Sequence, residues 1–194
     1  NFRKIRAFRK KYPNKNVHVD GGVNGEVSFI LRNMGVHSSV SGSFLFKAAS
    51  VGQALMDLTK REIESRFKIK DFMIPREECP IIEKSRLTLE NILKSIETGG
   101  LGFTIVEDEH QMHGIISNAD IRKALLKHLS NIEEMDPTTM INDMPVTIAS
   151  NATVDEMLNK VRGQSFPVTY LPVLDNTQNA AGIVTFVNLI KGEI

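Results

Sequence analysis

The sequence predicts an α/β chain in which a short segment of alternating strands and helices precedes a tandem repeat. Three observations carry this. Gly114-Ile115-Ile116-Ser117-Asn118-Ala119-Asp120 recurs as Gly182-Ile183-Val184-Thr185-Phe186-Val187-Asn188, 68 residues later. Apolar runs precede both copies, Gly102 to Val106 and Tyr170 to Leu174, with Phe103 and Leu171 keeping the same offset of 68. In the first third of the chain, strand-like and helix-like stretches alternate, and glycine-containing turns, Gly21-Gly22 and Gly42-Ser43, close the strands.

The N-terminal elements follow in order. Residues 1–12 form a basic amphipathic helix with Phe2, Ile5, Phe8 and Tyr12 on one side, and Pro13-Asn14 ends it. Val17 to Asp20 reads as a strand closed by Gly21-Gly22. A helix over residues 26–33 presents Val27, Ile30 and Leu31, with Gly35 beyond its end. A second strand, 36–41, stops at Gly42-Ser43, and a longer helix covers residues 51–65. His18 shares a strand face with Asp20 and is expected to fill an interior.

Each repeat runs short strand, helix, strand, turn, strand, helix. Leu89, Ile92, Leu93 and Ile96 mark the first helix; Val154, Met157, Leu158 and Val161 mark its counterpart. Thr88 and Thr153 open these helices, and they are 65 residues apart, so the second copy gains three residues before its strand. Thr153-Val154-Asp155-Glu156 is a capping box. The strand pairs turn over Glu107 to His110 and Asp175 to Ala180. The final helix of the first copy is expected from Ala119 to about Leu129.

From Lys70-Asp71-Phe72-Met73 onward, and again from Ile141-Asn142-Asp143-Met144, this pattern resembles a tandem pair of cystathionine-β-synthase (CBS) domains. Gly99 to Val106 and Gly114 to Arg122 are similar to the pair at the end of arabinose 5-phosphate isomerases. The resemblance implies a regulatory module that binds an adenine nucleotide or nucleotide-sugar, with Ser117, Asp120, Val146, Thr147, Thr185 and Asn188 facing the ligand. An aspartate at a helix start can accept both cis hydroxyls of a ribose, and a hydroxyl beside helix amides favours phosphate. Asn188 stands where a second aspartate is expected and offers one acceptor oxygen without charge, so one good ribose site, at Asp120, is expected. Ser117 and Asp120 also suit a plain helix cap. The resemblance further implies a homodimer through the exposed helices.

Val19-Asp20-Gly21-Gly22-Val23-Asn24, with Ser41-Gly42-Ser43 and Phe46, resembles the C-terminal end of ribulose-phosphate 3-epimerases, which are (β/α)₈ barrels. On that resemblance Asp20 takes the place of a catalytic carboxylate and metal ligand. Gly21, Gly22, Gly42 and Ser43 hold the sugar phosphate, which must approach the main chain closely. Only the last two βα units are recognisable, so residues 1–67 form a partial barrel remnant. They are expected to pack on a partner or be poorly ordered, and to be inactive alone. The intact epimerase would carry a divalent metal and take a sugar phosphate; the fragment is expected to hold none.

The expected layout is therefore residues 1–67 as the barrel remnant, 70–130 as the first CBS repeat and 138–194 as the second. Balanced charge, 24 basic against 23 acidic residues, argues against a nucleic-acid partner. No segment is long and apolar enough for a membrane, and no signal peptide is visible. Five histidines and one cysteine show no metal-ligand spacing, and lone Cys79 fits a reducing cytoplasm. The functional expectation is a regulatory CBS pair at the end of a sugar-phosphate epimerase. The alternative is a non-catalytic module that only dimerises or binds a ligand.

Overall fold

The computed structural model describes residues 1–59, 66–109 and 111–186. Two compact units interleave along the sequence rather than following the linear order of the repeats. One contains Asn1–Met73, Ile148–Leu171 and the described residues from Val184; the other contains Ile74–Thr147 and Pro172–Ile183.

In the first unit the N-terminal elements are α1 (Phe2–Lys11), β1 (His18–Asp20), α2 (Gly25–Asn33), β2 (Ser38–Val40), α3 (Ser43–Phe46) and α4 (Val51–Thr59). The rest of the long helix expected after residue 51 lies outside the described residues. Strands β1 and β2 pair in parallel, His18 with Ser38 and Asp20 with Val40, and form a two-stranded sheet. Asn24 starts α2, its Oδ1 accepting the Val27 N–H at 2.9 Å. Val23, Phe29, Ile30, Leu31 and Ala54 supply the buried apolar side chains of this segment.

Glu26 is 2% exposed, a rare setting for a carboxylate. Both of its oxygens accept the Arg66 N–H, at 2.9 and 2.8 Å, and Oε1 also accepts the Phe67 N–H at 2.8 Å. One side chain of α2 thereby anchors the main chain just ahead of the repeats. Phe67 meets Phe2 edge-on, with ring centroids 5.0 Å apart. Farther on, the Ile69 N–H donates to the Ala152 carbonyl and the Lys70 N–H to that of Ser150. These contacts hold the expected partial barrel segment in defined elements. Phe46, Leu55 and Met56 of α3 and α4 nevertheless stay exposed.

The first unit also holds β7 (Ile148–Ala149) and α7 (Val154–Arg162). The predicted capping box of α7 is present: the Glu156 N–H donates to Thr153 Oγ1, and Glu156 Oε2 accepts the Thr153 N–H.

The second unit carries β3 (Ile74–Pro75), β4 (Ile81–Glu83), α5 (Leu89–Gly99), β5 (Phe103–Asp108), β6 (Gln111–Ser117) and α6 (Asn118–Lys127). The remaining strands are β8 (Tyr170–Leu174) and β9 (Ala180–Thr185). The sheets run β4-β5-β6 and β3-β9-β8-β7. Strand β4 is parallel to β5, which pairs antiparallel with β6 from Phe103–Ser117 to Asp108–Gln111. Ile82, Ile92, Ile96, Val106, Ile116, Ile121 and Met140 join one buried cluster beneath α5 and α6. Burying such a side chain contributes about 1.5–3 kcal/mol against leaving it exposed.

Two expected boundaries shift. Helix α6 ends at Lys127, short of Leu129. The first hairpin turn is tighter than the sequence suggests, because Glu107 remains inside β5 and is fully buried. The helix expected after Thr185, including Asn188, lies outside the described residues.

Glu26→Ala is expected to remove the anchor of Arg66 and Phe67 and to cost about 1–3 kcal/mol in urea unfolding, with Glu26→Gln milder because one acceptor oxygen survives. An Ala variant as stable as the parent would deny the anchor. The carboxyls of Glu156, Asp136 and Asp175 are held below the ordinary range by hydrogen bonds from Thr153, Thr138 and Thr177. Their folded values lie below the unfolded ones, so this stabilisation is present above about pH 4 and is lost as pH falls through the folded values. Melting between pH 6 and 3 should show that loss, and Glu156→Gln should reduce it by removing one of the three carboxyls.

Candidate functional site

Ser117 ends β6 and is the N-cap of α6. The Asp120 N–H donates to Ser117 Oγ at 3.3 Å. In return, Asp120 Oδ2 accepts the Ser117 N–H at 3.0 Å and the Ser117 hydroxyl at 2.6 Å. The two residues thus perform the cap that the sequence allowed, and this commits the Ser117 hydroxyl and one oxygen of Asp120. Oδ1 of Asp120 points elsewhere, toward Lys123 Nζ at 3.7 Å, and the side chain is 20% exposed.

That side chain opens onto a cavity of about 270 Å³ whose polar lining is Asp120, Lys123, Lys127, His128, Thr139 and Asn142. One wall is the face of α6; the other is the segment leading into the second repeat. The segment is held by a reciprocal pair of backbone bonds, Ile115 N–H to Asn142 O at 3.0 Å and Asn142 N–H to Ile115 O at 2.8 Å. The backbones meet so closely that a Cβ on Gly114 would lie 2.5 Å from the Asn142 oxygen. Glycine at this repeat position is therefore a packing requirement.

The other expected ligand-facing residues are placed differently. Val146 and Thr147 are half-buried in the stretch before β7, and neither lines this cavity. Thr185 ends β9 half-buried. Lys123, Lys127 and His128 were not expected at the site, yet the spacing of Asp120, Lys123 and Lys127 puts all three on one helix face. Thr139 and Asn142 carry no comparable sequence signal.

In the first unit, Asp20, Gly21 and Gly22 line a larger cavity of about 900 Å³, together with Arg3, Lys4 and Lys70. Gly21 and Gly22 have φ of 102° and 69°, conformations that side chains with a Cβ rarely adopt. Gly42 and Ser43 follow β2 at the same strand edge, since Asp20 pairs with Val40, but they do not line the cavity. Among the described residues no three His, Cys, Asp or Glu side chains gather as metal ligands. Asp20 belongs to no such group among the described residues. Among the described residues, no helix is long and apolar enough to cross a membrane.

A second cavity of the other unit, about 430 Å³, lies over the buried Glu107. Arg76 reaches it in a forked pair, Nη2 to Oε2 at 2.5 Å and Nε to Oε1 at 3.2 Å. This hydrogen bond raises the Arg76 pKa. Arg86 and Glu83 share the lining, so the charges balance and no ligand sign is favoured. Burial pushes the nearby Cys79 thiol up to about 12, aided by Glu77 and Glu78, so it stays protonated at neutral pH.

The fold of these repeats is that of a CBS domain pair. Residues 138–193 match the CBS domain family, described as "CBS domain". The arabinose 5-phosphate isomerase KdsD of Francisella tularensis is 28% identical over 127 residues, which is 66% of this chain and 38% of that protein. The cytoplasmic ribulose-phosphate 3-epimerase of Oryza sativa subsp. japonica is 39% identical over 57 residues, 29% of this chain and 25% of its own length. Among solved structures, CBSX2 in complex with AMP superposes with a TM-score of 0.54 at 19% identity, covering 66% of this chain and 96% of that one. The CBS domain pair of protein MJ0100, in complex with 5'-methylthioadenosine and S-adenosyl-L-methionine, gives 0.52 at 22% identity, covering 66% and 100%.

Arg76→Ala should leave Glu107 as a buried charge without its forked partner and cost on the order of 2 kcal/mol, reduced from a fully buried pair because Arg76 is 40% exposed. The double change Arg76→Met with Glu107→Leu should recover much of that loss in denaturant unfolding. A double variant no more stable than Arg76→Ala would argue against the pair.

Proposed function

We propose that the CBS pair is a regulatory module that binds an adenine nucleotide or a nucleotide-sugar, with Asp120 as its ribose ligand. The observation that carries this is the direction of Asp120 Oδ1, which the cap does not use and which faces Lys123 Nζ across the cavity rim. The cap fixes the carboxylate in place through Oδ2 and leaves the other oxygen turned toward a cation-lined cavity. Fixing the acceptor before a ligand arrives lowers the ordering cost of binding. The two solved relatives hold AMP, 5'-methylthioadenosine and S-adenosyl-L-methionine, which share an adenosine. A ribose site is what such ligands have in common.

We further propose that this module is attached to the end of a sugar-phosphate epimerase of the ribulose-phosphate 3-epimerase type. Support comes from the parallel β1–β2 pair, whose glycine turns share one edge beside Asp20, and from the match to the rice epimerase. Catalysis there needs further carboxylate and imidazole groups beyond Asp20. A dimerising role for the module is favoured by Leu93 on α5, Leu126 in the last turn of α6 and Leu129 just beyond it, all exposed. It is compatible with ligand binding.

Calorimetric titration with AMP, ATP and a cytidine nucleotide-sugar tests the ribose site. Saturable binding near one ligand per chain is expected, weakened about 10- to 100-fold by Asp120→Ala through loss of a charge-assisted hydrogen bond. Asp120→Asn should fall between, with melting curves confirming that both variants are folded. Undiminished binding by folded Asp120→Ala would move the site elsewhere.

A further inference from the structure

We infer that the outer face of α1 docks the protein on an anionic phospholipid surface. Helix α1 carries six Lys or Arg in ten residues and no acidic residue, whereas α2, α5, α6 and α7 each mix both signs. Residues 1–15 hold seven Lys or Arg and no Asp or Glu, against 24 and 23 in the whole chain, so the remainder is six charges negative. The near-neutral total hides a segregation of charge, and such asymmetry marks an electrostatic docking surface. Burial divides the helix in the same way. Phe2, Ile5, Arg6 and Arg9 are half-buried, and Arg6 Nη2 donates to the Phe72 carbonyl at 2.5 Å. Arg3, Lys4, Ala7, Phe8, Lys10 and Lys11 are exposed. At about 3.6 residues per turn, Arg3, Lys4, Lys10 and Lys11 share an arc of roughly 120° with Ala7 at its centre.

Helix stability does not account for this pattern. Cations suit the last turn, where Lys10 and Lys11 stand, but Arg3 and Lys4 occupy the first turn, which favours acidic side chains. Arg6 lies three positions from Arg3 and Arg9 and four from Lys10, so like charges adjoin along the helix. An anionic leaflet relieves that repulsion and attracts each exposed cation within a Debye length of the surface. Phe8 and Tyr12 stand exposed at one margin of the arc, with ring centroids 5.0 Å apart and Lys11 Nζ 5.3 Å from the Tyr12 ring. Aromatic rings beside lysine suit the headgroup level, where one end is apolar and the other wet. The occupant is a lipid surface rather than a nucleic acid. The exposed face is the convex side of a helix about 15 Å long, which a flat leaflet meets with all four cations at once. The two rings lean at 49° instead of standing parallel as platforms for bases.

Cosedimentation of the chain with vesicles of phosphatidylcholine, and of phosphatidylcholine with an equal part of phosphatidylglycerol, tests the surface. Binding to the mixed vesicles alone is expected. It should fall as salt shortens the Debye length from about 10 Å at roughly 0.1 M to about 3 Å at roughly 1 M. Lys4→Gln with Lys11→Gln should weaken the partition about 20-fold, at roughly fivefold per cation. Both side chains are exposed, so the double variant should melt with the parent. Lys47→Gln with Lys160→Gln makes the same change in net charge away from α1 and should leave binding within about twofold of the parent. No binding to the mixed vesicles, equal binding to both kinds, or an equal loss from the two double variants overturns the surface. A single-stranded oligonucleotide titrated in parallel reads the other polyanion: an oligonucleotide bound where the vesicles are not overturns it as well.

Discussion

The repeats are held in register by a crossing that each makes with the other. The segment opening the second repeat lies on β6 of the first, Asn142 opposite Ile115. The segment opening the first lies on β9 of the second, Ile74 opposite Ile183 and Pro75 opposite Gly182. The repeat offset of 68 carries Ile74 onto Asn142 and Ile115 onto Ile183, so one contact is built twice. Its constraint is steric. At Gly114 the passing backbone leaves no room for a side chain, and any larger residue would push Ile141 and Asn142 off the strand. The sheet of the second repeat is completed by β3 from the first, and the compact units interleave along the sequence.

The candidate site depends on this crossing. Without Asn142 fixed to Ile115, the Thr139–Asn142 wall would have no set distance from α6, and the lysines of that helix would be ordinary solvated charges. The core beneath adds a second restraint, since Met140 is buried in the same cluster as Ile121 and Ala124 of α6. Apolar packing on one side and two backbone bonds on the other set the width of the cavity. The chemistry of the site is thus a product of tertiary packing as much as of the Ser117–Asp120 cap.

Local features were legible in the sequence, and features that join distant segments were less so. The caps at Thr88, Ser117 and Thr153, the apolar faces of α5 and α7, and the paired strands all follow from spacing within a few residues. The glycines of the repeat were visible as a pattern, but the backbone that crosses Gly114 was not. Glu107 looked like a turn residue because a charged side chain usually marks the surface. The forked pair with Arg76, 31 positions earlier, makes its burial tolerable. Glu26 was likewise placed at a helix start, where acidic residues are favoured, whereas its partners are backbone amides 40 and 41 residues away. Thr139 and Asn142 became candidate ligand groups only through the path of their segment.

Glu26 also bears on how the N-terminal segment is joined to the repeats. A buried carboxylate that holds two main-chain amides with both oxygens has little freedom to slide, so the chain at Arg66 and Phe67 is tied to α2 rather than hanging as a loose tether. The same stretch continues into Ile69 and Lys70, whose amides bond the carbonyls of Ala152 and Ser150 just before α7. Within one compact unit, then, the helix that follows β1 and its glycine turn is joined through a few residues to the entry of the second repeat's helix. The stretch from Arg66 to Lys70 is bonded at one end to α2 and at the other to the entry of α7, so it is a fixed joint rather than a flexible linker.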